Sequence, residues 1–131
     1  MEARPVGRIV GSILLVLAII YIVPFIVYGV MTLVTSLEPP KDVSPARFLS
    51  GILVSKVGTA VAFVLIFYFA RDALASRWFL YALCWWIMFT IGEVGQAIGP
   101  NYSWSEAIGG IISETIYCPL AAWTTYWLVK A

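Results

Sequence analysis

From Ile9 to Leu37 the chain runs for 29 residues without a charged side chain. About 20 apolar residues in a helix cross the hydrocarbon core of a bilayer. This run is long enough to cross even when tilted. Arg4 and Arg8 precede it, as in a secretory signal peptide. The apolar run, however, far exceeds the roughly 7–15 residues of a signal core, and no small-residue cleavage site follows. It reads as a retained transmembrane helix, with a kink expected at Pro24.

Three further apolar segments follow, each bounded by breakers. Leu37-Glu38-Pro39-Pro40-Lys41-Asp42 is a loop broken by two prolines. Ser44-Pro45 supplies an N-cap and a proline at the first helical position. Arg71 to Arg77 is a short charged connection, and Gly99-Pro100-Asn101-Tyr102 a tight turn. Pro119 is expected to kink the last helix. The segments predict an all-α integral membrane protein, multi-pass, forming one membrane domain over residues 1–131. Its helices are expected at about 9–37, 45–70, 78–98 and 103–129. Short connections imply antiparallel neighbours, hence an antiparallel four-transmembrane-helix bundle. Composition agrees: 62% of residues are hydrophobic and 11% charged, against about 25% charged in soluble domains.

Lys and Arg set the expected orientation. One side carries Arg4, Arg8, Arg71, Arg77 and Lys130, the other Lys41 and Arg47. Both termini are therefore expected in the cytoplasm. Tyr68, Trp78, Tyr81, Tyr126 and Trp127 would form the inner aromatic belt, and Tyr102 and Trp104 the outer one.

Three charges fall inside the apolar segments. Lys56 lies 15 residues before Arg71, Glu93 lies 16 after Arg77, and Glu114 lies 16 before Lys130. At ~1.5 Å per residue all three sit about 22–24 Å from the basic side, in the outer half of a core of ~30 Å. They can meet if their helices face one another. Gly51, Ser55 and Thr59, and beside them Gly58 and Ala62, make small-residue stripes on the second helix. Gly92, Gly95 and Gly99 surround Glu93, and Gly109 and Gly110 precede Glu114. Small residues let membrane helices approach closely. Gln96, one turn from Glu93, and Tyr117 and Cys118, one turn from Glu114, are placed to complete hydrogen bonds.

A charge in hydrocarbon costs at least roughly 2.5–3.5 kcal/mol on insertion scales. One lysine neutralises one carboxylate, so the second is expected to hold a proton. A shared, titratable carboxylate is the chemistry of a proton-coupled site. The competing reading is a buried ion pair that only sets helix register.

Other chemistries find less support. The chain has no histidine, which removes His-ligated metal or haem and Ser-His or Cys-His nucleophile pairs. No metal pattern emerges and no cofactor is expected. Cys84 and Cys118 fall about 8 Å apart in depth, too far for a disulfide. The net charge of +1 and the lack of a basic run argue against nucleic acid. Glu106 belongs to a capping box, Ser103-Trp104-Ser105-Glu106. Trp85 and Trp86 lie deeper than an interfacial belt and, with Tyr117, are candidates to line a pocket.

The expected function is a proton- or cation-linked carrier of a small solute, using Lys56, Glu93, Glu114 and Gln96. Four helices enclose little space, so a homo-oligomer or a larger membrane complex is expected around it. A non-catalytic accessory subunit of such a complex is the alternative. A small intramembrane enzyme acting on a lipid or hydrophobic substrate ranks third, with Glu93 and Glu114 as acid and base.

Overall fold

The computed structural model describes residues 4–35, 37–38 and 41–129. Four long helices dominate: α1 (Arg4–Val34), α2 (Pro45–Phe69), α4 (Trp78–Ile98) and α5 (Trp104–Val129). A one-turn helix, α3 (Arg71–Leu74), and a 3-10 turn (Ala75–Arg77) join α2 to α4. The third expected segment, 78–98, coincides with α4. The first begins five residues early, because a helix need not stop where its apolar stretch does and Pro5 suits a first turn. It ends at Val34, where the Thr35 hydroxyl donates to the Met31 carbonyl (2.6 Å) and accepts from the Leu37 N–H (3.2 Å). Pro24 and Pro119 both sit inside continuous helices. Pro39 and Pro40 of the expected loop, and Lys130 of the basic side, lie outside the described residues.

Both predicted starts carry their caps. Ser44 Oγ accepts from the Arg47 N–H (3.2 Å), with Pro45 at the first position of α2. At α5, Ser103 Oγ accepts from the Glu106 N–H (3.1 Å) and Glu106 Oε2 accepts from the Ser103 N–H (3.2 Å). This is the reciprocal pairing of a capping box.

Among the described residues, three stretches are long and apolar enough to cross a membrane: Pro5–Val34, Pro45–Phe69 and Arg71–Ile98. Helix α5 is equally long, at 26 residues, but more polar. Its position supplies the reason. It packs along α1 on one side and α4 on the other, and eleven of its residues are buried, against four each in α2 and α4. A helix enclosed by protein need not be apolar all round. Four of its hydroxyls are satisfied within the helix: Ser113, Thr115, Thr124 and Thr125 each donate to the carbonyl four residues back. The outer surface of the molecule is apolar, with Leu33 85% and Phe69 77% exposed. That surface fits lipid rather than water.

Neighbouring long helices run in opposite directions. The end of α1 meets the start of α5, where the Tyr28 hydroxyl donates to the Glu106 carbonyl (2.7 Å). Tyr21 of α1 donates to the Leu49 carbonyl near the start of α2 (3.2 Å). Phe63 of α2 stacks against Tyr81 and Trp85 of α4, with centroids 4.9 and 5.3 Å apart. These rings, with Phe67 and Phe89, fill the half of the bundle nearest the α2–α4 connection. Tyr81, expected in the inner belt, is instead 6% exposed, and its hydroxyl donates to the Phe63 carbonyl. The ring lies in the core because that carbonyl satisfies its one polar end.

The opposite half is looser on one side. All buried residues of α2 fall in its second half: Ala60, Phe63, Val64 and Phe67. Gly51, Ser55 and Gly58 are exposed, as are Gly92 and Gly95 of α4. A Cβ built on any of these glycines meets nothing within 4 Å. The expected use of those glycines for helix contact within the chain is therefore corrected. Close approach occurs on α5, where a Cβ on Gly109 would lie 2.7 Å from Met31 Sδ and 2.8 Å from the Tyr28 ring.

Gly109→Ala should therefore lower stability by about 1–3 kcal/mol through overpacking, measured by thermal unfolding in detergent. Gly51→Ala and Gly95→Ala should be neutral or stabilising, by up to about 1 kcal/mol, because alanine is the better helix former. Equal destabilisation at all three positions would contradict this packing.

Candidate functional site

Glu93 of α4 and Glu114 of α5 are both buried, at 9% and 5% exposure. Helical spacing on α5 explains how they meet. Gly110 stands one turn before Glu114, on the same face. The Glu93 carboxyl occupies the space a Cβ on Gly110 would take. That seat brings it within hydrogen-bonding reach of the Glu114 carboxyl. Glu114 Oε1 is buried and meets no hydrogen-bond donor among the described residues. Two ionised carboxylates in contact repel, and each lacks a donor from the other. A single proton between them turns the contact into a hydrogen bond.

Glu93 has a second neighbour. The Tyr102 hydroxyl, from the α4–α5 turn, donates to Glu93 Oε1. Local geometry delivers it there: Asn101 adopts φ 65°, a left-handed conformation that asparagine tolerates better than most residues. The chain folds back, and Tyr102 comes over the end of the bundle beside Tyr28 of α1. Burial, together with its contacts to Glu93 and Tyr28, holds the Tyr102 phenol far above the usual phenol range. Tyr102 thus keeps its proton and donates it to Glu93.

Lys56 reaches across the bundle from α2. Its Nζ lies 3.5 Å from the Tyr117 hydroxyl, at the outer limit of a hydrogen bond, and 5.0 Å from the Tyr117 ring centroid. Among the described residues the ion pair closer than 4.0 Å is Glu38–Lys41, on the surface. Lys56 therefore feels the charges of Glu114 and Glu93 without bonding to either.

The remaining candidates divide. Tyr117 is buried at the cluster, and Phe89 packs on it with centroids 6.1 Å apart. Gln96 is exposed and stands outside the cluster. It is one turn from Glu93, but that carboxyl is taken up by Gly110 and Tyr102. Trp85 belongs to the aromatic half, against Phe63 and Phe89. Trp86 donates from Nε1 to Thr115 Oγ1 (2.9 Å) and lines a groove of about 390 Å³ between α4 and α5. Trp78, Phe79, Leu83 and Pro119 also line that groove, and neither carboxyl does. Cys84 and Cys118 are free thiols, one exposed and one buried. Tyr102 and Tyr28 were not anticipated as cluster residues. The signal for Tyr102 was present in Pro100-Asn101, a turn pair able to reverse the chain toward Glu93 nine residues back.

A search of protein-family models, of curated proteins and of solved structures found no match to this chain.

The seat at Gly110 is testable by a double-mutant cycle. Gly110→Ala alone should cost about 1–3 kcal/mol, because the Glu93 carboxyl must move. Combined with Glu93→Ala the costs should fall short of additive by at least about 0.5 kcal/mol. Strict additivity in thermal unfolding would show that the two groups do not share this space.

Proposed function

We propose that the chain crosses a membrane four times, with both termini in the cytoplasm, and carries a small solute in exchange for a proton or cation at the Lys56, Glu93 and Glu114 cluster. The charge asymmetry supports the orientation: five basic residues flank one side and two the other. Helix α5, at ~39 Å for 26 residues, is long enough to serve as the fourth span. Its polar residues are tolerated because protein covers much of it.

The observation that carries the reading is the contact between two buried carboxyls while the nearby lysine bonds to neither. A pair kept only for helix register would bind Lys56 to a carboxylate and satisfy every oxygen. Here one carboxyl oxygen is left without a donor and the ammonium rests on an aromatic ring. Such a site changes its charge by one when a proton leaves, and a cationic or polar solute can take that place. Ionisable groups inside a membrane protein that face its interior mark proton relays and ion paths.

A second reading, a homo-oligomer or an accessory subunit of a larger membrane complex, draws on the exposed glycine faces of α2 and α4. Small-residue faces in lipid are where a second helix packs. These two readings are compatible when the partner is another copy. The reading as an enzyme acting on a lipid gains no such support, since the apolar groove lies apart from the carboxyls.

Native protein, Glu93→Gln and Glu114→Gln are reconstituted singly into liposomes enclosing a pH-sensitive dye, and a pH gradient is imposed with Na+ and K+ supplied as exchanging cations. Native protein should dissipate the gradient faster than empty liposomes, and each Gln variant should fall to the empty-liposome rate. Native-like rates in both variants would overturn the carrier reading. Gly51→Ile with Gly95→Ile tests the second: a complex purified in mild detergent should come apart while the chain stays folded, and an unchanged complex would exclude those faces as the interface.

A further inference from the structure

The two carboxyls are not equivalent, and the turn between α4 and α5 makes the difference. We propose that Tyr102 is a positioning residue that keeps Glu93 ionised and the shared proton on Glu114, so that Glu114 is the proton-carrying group of the pair.

Hydrogen-bond inventory leads to this assignment. A carboxylate is an acceptor at both oxygens, whereas a carboxylic acid brings one donor of its own. Glu93 Oε1 already accepts from Tyr102. A proton placed on Glu114 lets that residue donate to Glu93 as well. Glu93 then receives two charge-assisted hydrogen bonds, which are stronger than bonds between neutral groups. With the proton on Glu93 instead, the Tyr102 bond would fall on a neutral acid and lose its charge assistance. Glu114 would then carry the charge with Oε1 buried and no donor.

The other groups around Glu114 do not reverse this. Lys56 comes from α2 but bonds to Tyr117 rather than to a carboxylate. Tyr28 of α1 spends its hydroxyl proton on the Glu106 carbonyl. Tyr117 and Cys118, on α5 itself, are neutral groups. With Glu93 ionised and Lys56 protonated, the cluster is neutral overall, which suits a low-dielectric interior.

The turn is built to hold Tyr102 in place. Asn101 takes the left-handed backbone, and the capping box Ser103–Glu106 locks the start of α5 directly after it. Tyr28 braces the phenol from α1 while bonding the Glu106 carbonyl.

This rests on the cluster being a proton site, but its test does not use transport. The carboxyl carbons of glutamate are labelled with 13C in native protein and in Tyr102→Phe, both in lipid bilayers at neutral pH. Glu93→Gln and Glu114→Gln assign the two resonances. In native protein the Glu93 carboxyl should resonate as a carboxylate and the Glu114 carboxyl as an acid. In Tyr102→Phe the two should draw together, because the phenyl ring keeps the packing and removes only the donor. Asn101→Gly, which accepts the same backbone, should keep the native pattern. The assignment is overturned if Glu93 is the protonated member in native protein, or if Tyr102→Phe leaves both resonances where they were. A pH gradient that collapses normally in both Gln variants would sink the carrier reading while leaving these resonances as they are.

Discussion

The contact between Glu93 and Glu114 exists because α5 has no side chain at Gly110. A carboxyl from α4 fills the gap, and one turn later α5 presents a carboxyl of its own. Both lie out of water, so the contact is attractive only with a proton in it. Around this point the surrounding groups take their places. Tyr102 donates to one carboxyl, and Tyr28 braces Tyr102. Lys56 comes in from α2 and meets Tyr117 rather than either carboxyl. The polarity of α5, which makes it the least membrane-like of the four long helices, follows from its enclosure between α1 and α4.

The bundle is divided along its length. Near the α2–α4 connection, Phe63, Phe67, Tyr81 and Trp85 interlock and the core is aromatic. Toward the α4–α5 turn, the interior holds carboxyls, phenols and an ammonium. There the first half of α2 buries nothing and leaves glycine faces open. The aromatic end is thus closed, and the polar end is open on the side of α2.

Much of this was legible in the residues. Breakers and caps located the helices, because Ser44-Pro45 and Ser103 to Glu106 act through local backbone chemistry that needs no tertiary context. Counting from basic ends brought Lys56, Glu93 and Glu114 to one level, because helical rise is nearly constant. What spacing cannot give is rotation about each helix axis. The small residues of α2 and α4 were expected to face inward, yet Gly109 and Gly110 make the close approaches. Gln96 sits one turn from Glu93 but on an exposed face. Tyr102 was read as an interfacial anchor, since its inward turn depends on a single residue, Asn101, adopting a left-handed backbone.

The central claim is that one proton resides in the carboxyl pair at neutral pH. Infrared absorption of the native protein in lipid, compared in H2O and D2O, reads it directly. The account predicts a protonated-carboxyl C=O band at neutral pH, shifted by deuteration and absent in Glu114→Gln. No such band at neutral pH in the native protein, or one that persists unchanged in Glu114→Gln, would contradict it.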